Sequence, residues 1–173
     1  ATMNDTHGED DDEDKTGINA PLLLAAGLGR VGCLQELLAS ARVDIHALGH
    51  EWLWAINDEY TEPITPLGYA AAYGHLPCVR ALLAADGIDV NCMGAPDDPD
   101  DSDDEEAGVY SALTLAACAN QVPCLQALLA ADGIDINLQG YDGRTALMVT
   151  AASGQLPCLL ALLDADGIST NLQ

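Results

Sequence analysis

The 173-residue chain has no phenylalanine, one lysine and four arginines, and aromatic residues make up only 4% of it. Each shortage excludes something. Without clustered Lys and Arg there is no surface to neutralise a phosphate backbone, so nucleic acid is not an expected partner. No apolar run approaches the roughly 18 residues of a membrane span, so no membrane partner is expected either. The opening Ala1-Thr2-Met3-Asn4-Asp5 is polar and does not read as a secretory signal; beginning without Met, it reads as a processed or trimmed end. The scarcity of rings excludes a bulky aromatic core. What is present is a 49% hydrophobic fraction rich in Ala, Leu and Gly. That suffices for a core in a chain of about one domain's length and suits thin, closely stacked helices.

The formal charge is -23, and it is clustered. Residues 5–14 carry Asp5, Glu9, Asp10, Asp11, Asp12, Glu13 and Asp14. Residues 97–106 carry Asp97, Asp98, Asp100, Asp101, Asp103, Asp104, Glu105 and Glu106. An ordinary acidic body therefore bears two very acidic appendages. A salt-adapted composition is the alternative, but it does not account for the clustering.

The chain repeats itself. Leu76-Pro77-Cys78-Val79-Arg80-Ala81-Leu82-Leu83-Ala84-Ala85-Asp86-Gly87-Ile88-Asp89-Val90-Asn91 returns from Val122 to Asn137 and again from Leu156 to Asn171. A divergent copy starts at Val31-Gly32-Cys33-Leu34. Cys33, Cys78, Cys124 and Cys158 recur 45, 46 and 34 residues apart, so the first two intervals hold insertions. Within one unit, Thr65 reads as an N-cap and Pro66 as a first-turn proline. Leu67, Ala70 and Ala71 make a narrow apolar stripe, and Gly74 ends the helix. Pro77, Pro123 and Pro157 sit where a second helix begins. Leu82-Leu83, Leu128-Leu129 and Leu162-Leu163 close the core, and Gly87, Gly133 and Gly167 are expected to terminate that helix. Such a unit cannot bury its own face and needs stacked neighbours.

A period in the low thirties built on Thr65-Pro66-Leu67-Gly68-Tyr69-Ala70-Ala71, Gly74-His75 and Leu82-Leu83 resembles the ankyrin repeat, with Gly68 where the family usually has His. The resemblance implies an all-α solenoid of stacked helix-turn-helix units with finger loops. Residues 1–17 are then an acidic tail and 18–173 the repeat domain. The repeats fall at about 18–46, 62–92, 110–138 and 143–173, with insertions at 47–61 and 93–109. It also implies a non-catalytic protein-binding scaffold whose concave surface is made by fingers and first helices, with both insertions emerging from the finger side.

The repeated cysteines argue against disulfides. Equivalent atoms in stacked helices lie about 8–10 Å apart, beyond the roughly 4.4–6.8 Å that a bridge allows between Cα atoms. Cys33, Cys78, Cys124 and Cys158 are expected to be small buried hydrophobes. Reduced thiols point to a cytoplasmic or other reducing intracellular compartment, although a chain that does not start with Met leaves an extracellular one open. Cys92 and Cys118 fall outside the pattern. His46 and His50, followed by Glu51, have no second ligand pair and read as solvated loop histidines rather than a zinc site. His75 is expected to hold the backbone of the neighbouring turn. No nucleophile, phosphate loop or carboxylate pair suggests catalysis, and no cofactor is expected.

Three features are left for recognition. The first insertion holds both tryptophans, Trp52 and Trp54, with Tyr60; they either cover the first finger or anchor a partner. Tyr69, Tyr110 and Tyr141 join them as candidate partner contacts. The acidic run 97–106 is a solvated loop, a calcium site lacking the ordered EF-hand spacing, or a lure for a basic protein. Leu160, finally, stands where earlier copies have Gln35, Arg80 and Gln126, so the last repeat becomes more apolar. That points to truncation or to a covered end, including head-to-tail self-association into a filament or oligomer.

Overall fold

A computed structural model describes residues 16–40, 42–49, 64–94 and 110–170. Among the described residues eight helices form four pairs. Repeat 1 is α1 (Thr16–Gly27) and α2 (Val31–Ala39); repeat 2 is α3 (Pro66–Ala72) and α4 (Leu76–Leu83). Repeat 3 is α5 (Ala112–Cys118) and α6 (Val122–Leu129); repeat 4 is α7 (Ala146–Ala152) and α8 (Leu156–Leu163). First helices pack on first helices and second on second, in order along the chain. The result is the all-α solenoid that the sequence implies.

Local chemistry sets the helix ends. Thr65 Oγ1 accepts the Gly68 N–H at 3.1 Å, and Ser111 and Thr145 cap α5 and α7 in the same way. The tight turn after each first helix needs a left-handed residue: Gly29, Gly74 and Gly154 supply it at φ 68°, 74° and 68°, and Asn120 takes the same place at φ 55°. Pro77, Pro123 and Pro157 fall in the first turn of α4, α6 and α8, where no N–H is missed. Gly87, Gly133 and Gly167 do not end those helices. Each helix stops three residues earlier on a right-handed cap such as Ala84, and the glycine turns the loop that follows. α1 also departs from the pattern. It begins at Thr16, within the segment assigned to the acidic tail, so Pro21 lies inside it.

Helices of seven or eight residues are not stable alone in water. They hold because Leu22, Leu34, Leu82, Leu113, Leu125, Leu128 and Leu162 form one continuous core through the stack. Cys78, Cys124 and Cys158 are fully buried in it, and the Cys78 thiol lies 4.0 Å from the Ala25 carbonyl of the preceding repeat. Cys33 is exposed, contrary to the expectation for all four. The position faces backward along the stack, and among the described residues no repeat precedes the first. None of the six cysteines is in a disulfide.

A second spine runs through the fingers. The Asp135 N–H donates to Asn91 Oδ1 at 2.8 Å while Asn91 Nδ2 donates to the Gly133 carbonyl at 2.8 Å; Asn137 repeats both bonds to Ser169 and Gly167. Between repeats 1 and 2, His46 takes the asparagine's place, its Nε2 accepting the Asp89 N–H at 2.7 Å. His46 is therefore a structural acceptor rather than a solvated loop residue; His50 lies outside the described residues. At the first finger the Asp44 N–H donates to Asn19 Oδ1. Net hydrogen bonds contribute about 0.5–1.5 kcal/mol each, so Asn91→Ala should cost about 1–2 kcal/mol in urea unfolding and His46→Ala about half that. Equal losses at the two positions would contradict a two-bond rung beside a one-bond rung.

Candidate interaction surface

The fingers are where this chain departs from its own repeat. In the third, the Gly140 N–H donates to the Arg144 carbonyl at 2.9 Å, closing a short tip of Tyr141, Asp142 and Gly143. Gly49 stands in the same register. Its N–H donates to the Ile64 carbonyl at 3.1 Å, and the two residues form an antiparallel bridge. Met93 and Ser111 make the corresponding bridge in the second finger. Both interruptions are thus rooted at finger tips. The first starts past Gly49, later than position 47, because Ala47 and Gly49 are buried in the finger itself.

The candidate contacts separate on this frame. Tyr141 crowns the third tip at 63% exposure. Asp142 beneath it orders the turn, its Oδ1 accepting the Arg144 N–H at 2.9 Å and its Oδ2 standing 3.6 Å from Arg144 Nε. Asp142 Oδ2 also accepts the Tyr110 hydroxyl at 2.9 Å, tying the start of repeat 3 to the third finger. Burial, and then that carboxylate, push the half-buried Tyr110 hydroxyl above its ordinary range. Tyr110 is an anchor with its polar end already used.

Tyr69 is a correction. It is 3% exposed, packed in a side cluster with Leu23, Ile64, Ala72 and Leu115, so it cannot serve as a surface contact. Burial, reinforced by Tyr73, pushes its hydroxyl up to about 12. Gly68 makes room for that cluster: a Cβ there would stand 2.5 Å from Ile64 and 3.0 Å from Leu115. The family's usual histidine is lost where a leucine of the next repeat leans in. Half-buried Tyr73 stacks parallel to Tyr69 with ring centres 6.3 Å apart. His75 Nε2 lies 2.9 Å from the Gly27 carbonyl, the neighbouring-turn contact expected from sequence.

Trp52, Trp54 and Tyr60 lie outside the described residues, as does the acidic run 97–106 with its calcium reading and the tail up to residue 15. Among the described residues no group of three or more His, Cys, Asp or Glu side chains could hold a metal ion. Among them too, no helix is long and apolar enough to cross a membrane. Cys92 is half-buried, its thiol pushed up by burial and then by Asp89 and Asp44; Cys118 is half-buried near the end of α5.

Leu160 is exposed at 52%. Leu156 at 58% and Leu163 at 44% flank it on α8; of the pair expected to close the core, Leu162 is buried and Leu163 is not, because it turns to the outer side of the last helix. The spacing of 156, 160 and 163 gives one helical stripe, a signal available from the sequence once the helix is placed.

A family model described as ankyrin repeats (3 copies) matches residues 4–94 and again 92–173. A comparison with curated proteins finds no match.

Proposed function

Since the chain belongs to the ankyrin-repeat family, whose repeats mediate protein–protein contact, we propose that it is a non-catalytic binding module that takes a partner with a basic surface at its finger edge. The observation that carries the reading is the common rooting of the unusual pieces. Exposed Tyr141 crowns one finger, and the Trp-bearing and acidic segments leave from the tips of two others, at the Gly49–Ile64 and Met93–Ser111 bridges. Aromatic groups supply anchoring area at low entropic cost, and the carboxylates of 97–106 speed and orient encounter. The body, with thirteen acids and four arginines outside the two acidic runs, adds to the same sign of field.

Titration of a labelled peptide alternating Lys and Leu, followed by fluorescence anisotropy, tests this. Affinity should fall by about tenfold between 50 and 300 mM salt and drop again in Trp52→Ala and Tyr141→Ala. Binding indifferent to salt and to both substitutions would count against the reading. A second reading, association of copies end to end, is favoured by the apolar stripe of α8, which is exposed among the described residues.

A further inference from the structure

The chain contains four Asp-Gly pairs: Asp86-Gly87, Asp132-Gly133, Asp142-Gly143 and Asp166-Gly167. This dipeptide carries chemistry of its own. The glycine nitrogen attacks the aspartate Cγ and water leaves, closing a five-membered succinimide; a glycine has no Cβ to obstruct the approach. Water then opens the ring. Cleavage of the new bond to Cγ restores aspartate. Cleavage of the older bond to the main-chain carbonyl carbon leaves isoaspartate, with the backbone routed through Cβ and Cγ. One water leaves and one returns, so the reaction needs no oxidant, reductant or enzyme.

The fold divides the four pairs three to one. Asp86, Asp132 and Asp166 hold the same place in successive repeats, just past the second helix, and all three are exposed. Among the described residues their carboxylates, and the N–H groups of Gly87, Gly133 and Gly167, make no hydrogen bond or ion pair. Both reacting groups are therefore free. At Asp142 both are held. Its Oδ1 accepts the Arg144 N–H and its Oδ2 the Tyr110 hydroxyl, each at 2.9 Å, and the Gly143 N–H donates to the Gly140 carbonyl at 2.9 Å. All four glycines turn left-handed, with nothing within 4 Å of where a Cβ would stand, so the hydrogen bonds alone separate the sites.

Position gives the reaction a consequence. Isoaspartate lengthens the main chain by one carbon–carbon bond, about 1.5 Å. Directly after Asp132, the Gly133 carbonyl accepts Asn91 Nδ2 at 2.8 Å and the Asp135 N–H donates to Asn91 Oδ1 at 2.8 Å. Directly after Asp166, Gly167 and Ser169 serve Asn137 in the same way, at 2.9 and 2.8 Å. A partner displaced by one bond length leaves hydrogen-bonding range. Asp86 precedes a single rung bond, from the Asp89 N–H to His46 Nε2.

We propose that Asp86, Asp132 and Asp166 are modification sites, converting spontaneously to isoaspartate in the folded protein while Asp142 is protected. Conversion at 132 or 166 opens the asparagine rung that ties one finger to the next. The finger spine thereby loosens with the age of the molecule, whether or not a partner binds at the finger edge.

The test is to age the whole chain for weeks at 37 °C and mildly acidic pH, then unfold it and digest it with Asp-N protease, which does not cut before isoaspartate. Mass spectrometry then reads each site. Cleavage before Asp86, Asp132 and Asp166 should be lost at least about tenfold faster than cleavage before Asp142, where hydrogen bonds must open first. Ageing in concentrated urea should bring the four rates together. The double variant Asp132→Glu/Asp166→Glu needs a six-membered ring at both sites, and circular dichroism should report unchanged helix content. After ageing it should keep the urea midpoint of its fresh sample, whereas the native chain should drift downward, in the direction of Asn91→Ala. Equal rates at all four sites in the folded chain, a difference that persists in urea, or intact aspartate at the three sites overturns the assignment. Isoaspartate at 132 and 166 with an unmoved midpoint overturns the opening of the rung.

Discussion

Leu82→Ala should lower stability by about 3 kcal/mol, moving the urea midpoint down by about 1–2 M. Leu82 is at 0% exposure in α4, inside the core that runs through the whole stack. Truncation removes most of its burial and leaves a cavity that closely packed Ala and Leu neighbours cannot refill. Its place adds to the cost. Each repeat leans only on its neighbours, so a weakened second repeat detaches the first from the remainder. A split or broadened transition, with the first repeat lost before the others, is the expected shape. The companion change Leu160→Gln restores the residue type of repeats 1 and 3 at an exposed site and should stay within about 0.5 kcal/mol of the native chain. Similar midpoints for the two variants would show that the core does not run where the packing puts it.

The second large effect is chemical. Among the repeated cysteines, Cys33 should react with a maleimide at the rate of an open thiol, whereas Cys78, Cys124 and Cys158 should lag by at least about a hundredfold. The three are fully buried, and burial pushes their thiols up, so both access and thiolate content are reduced. A folded-state value above the unfolded one means that stability from these groups is complete at neutral and lower pH. It is lost as pH rises through the thiol range. Mass spectrometry of tryptic peptides after timed labelling reads out the order, and equal labelling of all four would refute the burial pattern.

Much of this fold was legible because its signals are local. Thr65 as a cap, Gly74 as a left-handed stop and the prolines at the start of second helices each act within one turn, and the repetition of Cys78 to Asn91 fixed the period. The misreadings concern neighbours. Cys33 has the same local sequence role as Cys78, yet its exposure depends on whether a repeat stands in front of it. Tyr69 looked like a surface aromatic because its helix is otherwise small; its burial comes from Leu115 of the next repeat and Ile64 before its own cap. His46 could have been placed by aligning Asp44-Ile45-His46 with Asp89-Val90-Asn91, since the hydrogen bond needs only an acceptor at that reach. The candidate contacts Trp52, Trp54 and Tyr60 stand on a segment for which the repeat supplies no template.

The finger bases carry a further consequence. The same closure holds a three-residue tip at Gly140–Arg144 and the much longer span between Gly49 and Ile64. Lengthening a closed loop costs only about 0.6 kcal/mol per doubling. Residues can therefore be added or exchanged at the tips while the scaffold beneath stays untouched. Lineages, or engineers grafting a foreign epitope at residues 141–143, can vary the length and composition of a tip without renegotiating how the chain folds.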